Sequence, residues 1–460
     1  GGGGVPEMTR HAYTVIGLCC LCGMISSLDR MAMSVAIVPL ANEFGYSDTI
    51  KGSVSSIFSI GYTVALLPLA LAQALASPKY IMLMGVSTWS LLTLATPAAA
   101  QAGIPYLLAA RAGVGAAEAV TVPTIQTFVS RWVPKNQRSR ALALLYSCLQ
   151  SGTILALLVA PQIVQRGDWP MVFTAFGSLG FVWAAFWVPI SQDYPDDTLR
   201  VRGGGEIGSR RIGSPNARSP ASVPLEGAQG GFGQAVASAK ALPWSDFFQS
   251  RGLWAATAAH AANNWGLYVS LAWLPTYFNS VYDLDLAQSS FYSLLPYAAG
   301  AVTSGMAGVA ADKMLGSGMD ATAVRKIMQG IGSFGPFACM VALAMLSQDG
   351  GAGSPEAASA LFVAAVGLGS ASSAGFGASL QDISGRYSGL LYGLTSICSS
   401  ITGAVGVYET GVILDTTHSW ALAFATAASA YGFGGVWYAL GYSAEPLFKE
   451  GSPHADEVEG

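Results

Sequence analysis

Long apolar runs alternate with short polar stretches along the whole chain. A bilayer core about 30 Å thick needs about 20 apolar residues per helix. Runs of that length occur at 13–40, 52–76, 80–101, 104–130, 140–165, 171–191, 252–279, 287–311, 326–347, 357–380, 389–413 and 420–443. They predict twelve transmembrane helices, six on each side of a long polar stretch. That stretch, 192–245, is rich in Gly, Ser, Pro and Arg and contains Gly203-Gly204-Gly205 and Ser214-Pro215. It has too little apolar content to pack, so a disordered central loop is expected. The predicted organisation is a tail over 1–12, a six-helix half over 13–191, the loop over 192–245, a second six-helix half over 246–445 and a tail over 446–460. The fold class is all-α, membrane-spanning.

Composition supports this. Of 460 residues, 52% are hydrophobic and only 10% charged, against about 25% charged in soluble domains. Mean hydropathy is +0.46. The net charge of −4 comes with no basic patch interleaved with aromatics, so nucleic acid is not an expected partner. The six cysteines, Cys19, Cys20, Cys22, Cys148, Cys339 and Cys398, lie in apolar runs and read as small buried hydrophobes, despite the CxxC spacing of Cys19 and Cys22. The four histidines, His11, His260, His418 and His454, form no metal cluster by spacing. No phosphate-loop, zinc-protease or nucleophile-elbow motif occurs, so no enzyme, metal or cofactor is expected. Four leading glycines without an initiator Met predict a processed or truncated start, with any targeting segment outside this sequence.

Charge sets the orientation, because Lys and Arg accumulate on the side that is not translocated. Of the 22 Lys and Arg, all but Lys51, Arg166 and the intraspan Arg30 and Arg111 fall on one side if the spans are as given. Shifting the topology by one span destroys the bias. Both termini therefore lie on the positive side.

The charges inside the spans are the candidate chemistry. Placing a charge in hydrocarbon costs about 2.5–3.5 kcal/mol on insertion scales, so such groups face partners or a water-filled path. Arg111 and Glu118 lie seven residues apart in Arg111-Ala112-Gly113-Val114-Gly115-Ala116-Ala117-Glu118. Two helical turns put them on one face, about 10 Å apart along the axis. Gly115 and Ala119 on that face would let a neighbouring helix approach closely. The pair reads as an anion-binding Arg and a protonatable Glu on a transport path, or as an internal strut between helices. Asp29 and Arg30 lie deep in the first span and point about 100° apart. Arg30 is expected to face the cavity, and Asp29 another helix or a cation. The forked guanidinium donors of Arg30 and Arg111 suit phosphate or carboxylate oxygens. Gln126, Tyr62, Tyr146, Asn263, Asn264 and Tyr297 are further polar groups within spans, of which Asn264 and Tyr146 are taken as site residues. Glu409 in the eleventh span reads as a vestibule residue or a second titratable group.

Several stretches resemble one family. The 6+6 division looks like the major facilitator superfamily, and Gly308-Val309-Ala310-Ala311-Asp312-Lys313 resembles its loop after the eighth span. The equivalent stretch ending at Lys79 lacks the Asp and Arg. Asp29-Arg30 with Ser34, Ala36 and Ile37 resembles the anion–cation symporter family, which includes sialin, the vesicular glutamate transporters and the plant type-4 phosphate transporters. So do Arg111 through Glu118 and the continuation from Pro123 to Arg140. Trp273-Leu274-Pro275-Thr276-Tyr277-Phe278, Val324-Arg325-Lys326, Gln381-Asp382-Ile383 and Thr410-Gly411 through Leu414-Asp415 to Ser419-Trp420 are similar to the plant branch.

The resemblance implies a secondary active transporter of inorganic phosphate, symported with Na⁺ or H⁺ by alternating access. An organic anion such as ascorbate, sialate or a sugar acid is the alternative substrate. A non-transporting sensor with the same fold is the alternative of another class. By resemblance Arg30 and Arg111 bind the anion, Glu118 couples the proton, and Asp29 matches the acidic residue beside the first-span Arg. Asn263, where the vesicular glutamate members carry Arg, argues against glutamate, and Ala117-Glu118-Ala119 replaces the family's Gly-Glu-Gly. The plant-branch likeness implies a plastid membrane, envelope or thylakoid, with the termini stromal. A monomer is expected.

Overall fold

A computed structural model describes residues 10–133, 138–193, 243–348, 353–384 and 387–447. Most of the predicted loop at 192–245 and most of both tails lie outside the described residues. All regular structure among the described residues is helical. Lipid gives no partner to backbone N–H and C=O groups, so a spanning segment must bond internally.

The predicted spans all form. The first six are Arg10–Phe44, Asp48–Leu75, Pro78–Ala102, Ile104–Glu118 continued by Thr121–Trp132, Arg138–Gly167 and Pro170–Ile190. The last six are Arg251–Tyr282, Leu286–Gly316, Ala321–Leu346, Pro355–Gly369 continued by Phe376–Ser384, Ser388–Thr417 and Trp420–Gly441. A short helix, Trp244–Gln249, precedes the seventh span. By length and composition, 8 of the described helices are apolar enough to cross a membrane. Five helices of the second half begin with side-chain caps: Ser250, Asp285, Asp320, Ser354 and Ser419 each accept a first-turn N–H.

Two spans expected to be continuous are broken. The fourth stops at Glu118 and restarts at Thr121. Pro123 has no N–H to offer the carbonyl of Ala119, so the ladder fails there. The tenth tightens into a 3₁₀ turn over Ser370–Ser373, where a run of small residues weakens helical preference.

Each half packs around its own core. In the first, Trp89, Trp183, Trp187 and Phe128 are buried with the Cys19–Ile25 face of the first span. In the second, Tyr277, Phe278, Phe362 and Phe424 form an edge-to-face aromatic cluster. The halves meet where the second span packs along the eleventh and the fifth along the eighth. Leu28, Met31 and Val35 of the first span share one core with Leu294 and Tyr297 of the eighth.

Close approaches rest on glycine. A Cβ on Gly115 would lie inside the radius of the Phe58 carbonyl oxygen, and one on Gly61 would overlap that of Ala112. The expected close neighbour of the Gly115 face is therefore the second span. Cys19, Cys20, Cys22 and Cys339 are buried free thiols, whereas Cys148 is half-buried and Cys398 exposed.

Candidate functional site

The fourth span breaks one residue after Glu118, and this places the Glu118 carboxylate against the first span. Its Oε2 accepts from Ser26 Oγ at 3.0 Å and from Arg30 Nη2 at 3.3 Å. Its Oε1 is buried with no partner. The Glu118 side chain is wholly enclosed, while that of Arg30 is 41% exposed. The pair thus joins a sealed carboxyl to a guanidinium open on one side.

Aromatic rings hold the guanidiniums in place. The Arg30 Cζ lies 5.0 Å from the Phe58 ring centre and 5.6 Å from that of Tyr62. The Arg111 Cζ lies 5.3 Å from the same Phe58 ring. Both rings belong to the second span, and a desolvated cation over an aromatic face is favourable. Arg111 and Glu118 share the inward face as their spacing predicts, but Arg111 is only 3% exposed. Its Nε has no partner.

Asp29 points the other way from Arg30, into the interior of the first half. It is buried, and neither carboxylate oxygen has a partner. Arg111 and Glu118 are within electrostatic reach of it, and the Trp89 indole lies beside it. Asp29, Arg30, Arg111 and Glu118 form one cluster of two acidic and two basic groups.

A cavity of about 550 Å³ opens between the halves, lined by Gln126, Tyr146, Asn263, Ser370, Ser373 and Tyr392, among others. These residues lie toward the Lys- and Arg-rich ends of their spans, so the structure is open on the positive side. The phenols of Tyr62, Tyr146, Tyr268 and Tyr392, from the second, fifth, seventh and eleventh spans, lie within electrostatic reach of one another. Tyr62 and Tyr268 also feel Arg30. Tyr146 and Tyr392 line the cavity.

The other expected residues fall in different places. Tyr146 lines the cavity and is 51% exposed. Asn264 donates from Nδ2 to Ser399 Oγ at 2.9 Å and ties the seventh span to the eleventh, while its neighbour Asn263 lines the cavity. Gln126 also lines the cavity, and Tyr297 is buried with its hydroxyl unpartnered. Glu409 is half-buried in the eleventh span. His260 is packed against Phe376 and bonded through Nδ1 to Thr395. Sequence reasoning missed Ser26, Phe58, Tyr268 and Tyr392. Tyr268 was findable, since it lies one turn beyond Asn264 on the same face. Among the described residues no group of three or more His, Cys, Asp and Glu is placed to hold a metal ion.

Comparison with known proteins follows this geometry. Residues 19–407 match the family described as the Major Facilitator Superfamily. The chain is 32% identical to the sodium-dependent phosphate transport protein 1, chloroplastic, of Arabidopsis thaliana over 95% of this chain and 80% of that protein. It is 31% identical to the ascorbate transporter, chloroplastic, of the same plant over 95% of this chain and 75% of that protein. The crystal structure of a bacterial homolog of the human lysosomal transporter Spinster, inward-facing and occupied, aligns with a TM-score of 0.73. It covers 95% of this chain and 97% of its own at 14% identity, a likeness of fold alone.

Proposed function

We infer that this chain, which belongs to the Major Facilitator Superfamily and within it to the anion–cation symporters, is a secondary active transporter of anions. The substrate we propose is inorganic phosphate, carried with Na⁺ or H⁺ by alternating access. The two halves rock about a midplane site, as this fold does in general. The carrying observation is the Arg30–Glu118 pair, with a guanidinium open on one side and a sealed carboxyl on the other. An anion meeting Arg30 finds forked donors whose second partner is a titratable group. A path that only stored charge would not need its carboxyl hidden and its cation open.

In this reading Arg30 and Arg111 supply the positive field for the anion, and Tyr146 with Asn264 borders its route. Glu118 takes and releases the coupling proton, and Asp29 balances Arg111 or holds a cation. The sodium-dependent relative supports Na⁺ as the driving ion, and the enclosed Glu118 carboxyl supports H⁺. An organic anion remains the second reading, supported by the ascorbate relative and by a cavity far larger than phosphate. The chloroplastic relatives support a plastid membrane, in which the Lys and Arg bias would place the termini on the stromal side. The proposed transport unit is a single chain that binds no nucleic acid.

The test is uptake of radiolabelled phosphate into proteoliposomes with Na⁺ and pH gradients imposed separately. Ascorbate and a sugar acid serve as competitors. Phosphate accumulation under one gradient supports the primary reading, and uptake of only the organic anions supports the second. No uptake of any anion under either gradient leaves the sensor.

A further inference from the structure

The end of the molecule opposite the cavity is shut by a contact that the site does not use. Asp415, near the end of the eleventh span, receives the backbone N–H of Asp48 on Oδ1 at 2.7 Å and that of Thr49 on Oδ2 at 2.8 Å. These are the first two residues of the second span. The first N–H groups of a helix have no partner in their own ladder. Ser47 serves the next two, through its Oγ to Ile50 N–H and its carbonyl to Lys51 N–H. The cap that completes the second span is thus lent by the other half of the molecule.

The surroundings fit a contact made to close and to part. Gly411 lies one turn before Asp415 on the same face, and a Cβ there would overlap the Asp48 carbonyl oxygen. Gly52 meets the Val407 carbonyl in the same way, with its Cβ position 3.0 Å from that oxygen. Trp273 of the seventh span fixes Val407 through an indole N–H to its carbonyl at 3.0 Å. Lys51 neutralises the exposed side by pairing with Asp48 at 2.5 Å. Polar donors bonded to one carboxylate can be exchanged for water at a membrane surface, whereas an apolar seam of the same area would resist opening. The stretch from Thr410-Gly411 to Asp415 thereby acquires a role that the anion site does not give it.

We propose that Asp415 is a positioning residue of the transport cycle, a latch that holds the outer end shut by capping the second span, with Gly411 as its seat. The consequence for transport rests on the reading above. The state of the outer end can be measured without it.

The experiment places spin labels on Gln101→Cys and Ala357→Cys, one at the outer end of each half, with Cys148 and Cys398 replaced by Ser. Both labelled positions are exposed. Asp415→Ala and Gly411→Ala are expected to move at least a third of the distance distribution to longer values. Asp415→Asn is expected to fall between wild type and Asp415→Ala. Asp48→Pro deletes one donor at a helix position where Pro is tolerated. It should shift the distribution in the same direction as Asp415→Ala but less far, and the double variant should match Asp415→Ala. Asp48→Ala keeps the N–H, loses only the Lys51 pair, and should leave the distribution as in wild type. In proteoliposomes, Asp415→Ala should change the apparent affinity for phosphate added from the outer side by about tenfold, while the inner side changes less. Distance distributions unchanged in both Asp415→Ala and Gly411→Ala, in monodisperse protein, would overturn the latch. Altered distances with no phosphate transport in any variant would keep the latch and fail the transport reading.

Discussion

Arg30 Nη2 lies 3.3 Å from Glu118 Oε2, and that carboxylate oxygen also takes the Ser26 hydroxyl at 3.0 Å. One guanidinium is therefore shared between the buried acid and whatever occupies its open side. An anion that draws Arg30 toward itself weakens the Arg30–Glu118 bond. On the proposed reading Glu118 then balances its charge by taking up a proton, which would link the two events.

Arg30→Lys tests the forked geometry. Lys keeps the charge but offers a point donor, so one of two charge-assisted bonds to the anion is lost. Such bonds contribute about 1.5–3 kcal/mol. The expected outcome is an apparent KM raised roughly 10- to 100-fold with normal expression. An unchanged KM in initial-rate uptake would take Arg30 out of the anion site.

Gly115→Ala tests the seam between the second and fourth spans. The added methyl meets the Phe58 carbonyl oxygen, which is backbone and cannot swing aside. Overpacking of this kind costs about 1–3 kcal/mol. Phe58 also carries both guanidinium contacts, so the change should disturb Arg30 and Arg111 together. A lower melting temperature of purified protein with a raised KM is expected. A lower melting temperature alone would mean that Phe58 does not position the cations.

Hydropathy made the spans legible, because a helix in lipid must be both long and apolar. The orientation was legible for the same reason, since Lys and Arg mark one side. The four intramembrane charges stood out by their cost. Their partners did not: nothing in the periodicity of the first or fourth span says that Arg30 meets Glu118, or that Asp29 comes within electrostatic reach of Arg111. That depends on which helices pack together; the glycines at 61 and 115 seat only the second span on the fourth, through backbone contacts that composition cannot pair. The break after Glu118 was readable from Pro123, yet a proline inside an apolar run is common enough in membranes to be passed over. Asn264 looked like a pore residue by polarity, but its partner Ser399 on another span decided its place.

Asp29→Asn separates a strut from a site. The Asp29 carboxyl is enclosed within electrostatic reach of Arg111, and removing it leaves Glu118 as the remaining counter-charge of that cation. A marked drop in melting temperature and in yield is expected, partly restored by adding Arg111→Gln. If the double variant regains stability and still transports, Arg111 is structural. Regained stability without anion binding, read by isothermal titration with phosphate, places Arg111 in the site.

Glu118→Gln is the sharpest test of coupling. Gln is nearly isosteric, and its amide oxygen can still accept from Ser26 and Arg30, so the fold and the anion site should persist. What it cannot do is gain or lose a proton. The unpartnered Oε1 of Glu118 is enclosed and bonded to nothing, which is where a carried proton would be held. The variant is expected to bind phosphate and to exchange it across the membrane in counterflow at near wild-type rate. It should fail to accumulate phosphate against a gradient, and the pH dependence of uptake should flatten. If Glu118 serves only to tie the fourth span to the first, Gln preserves the tie and most of the activity. Counterflow and gradient-driven uptake measured on the same vesicles decide between the two. Full accumulation with wild-type pH dependence would leave Glu118 a strut and move the search for the coupling group to Asp29, the other enclosed carboxyl of the cluster.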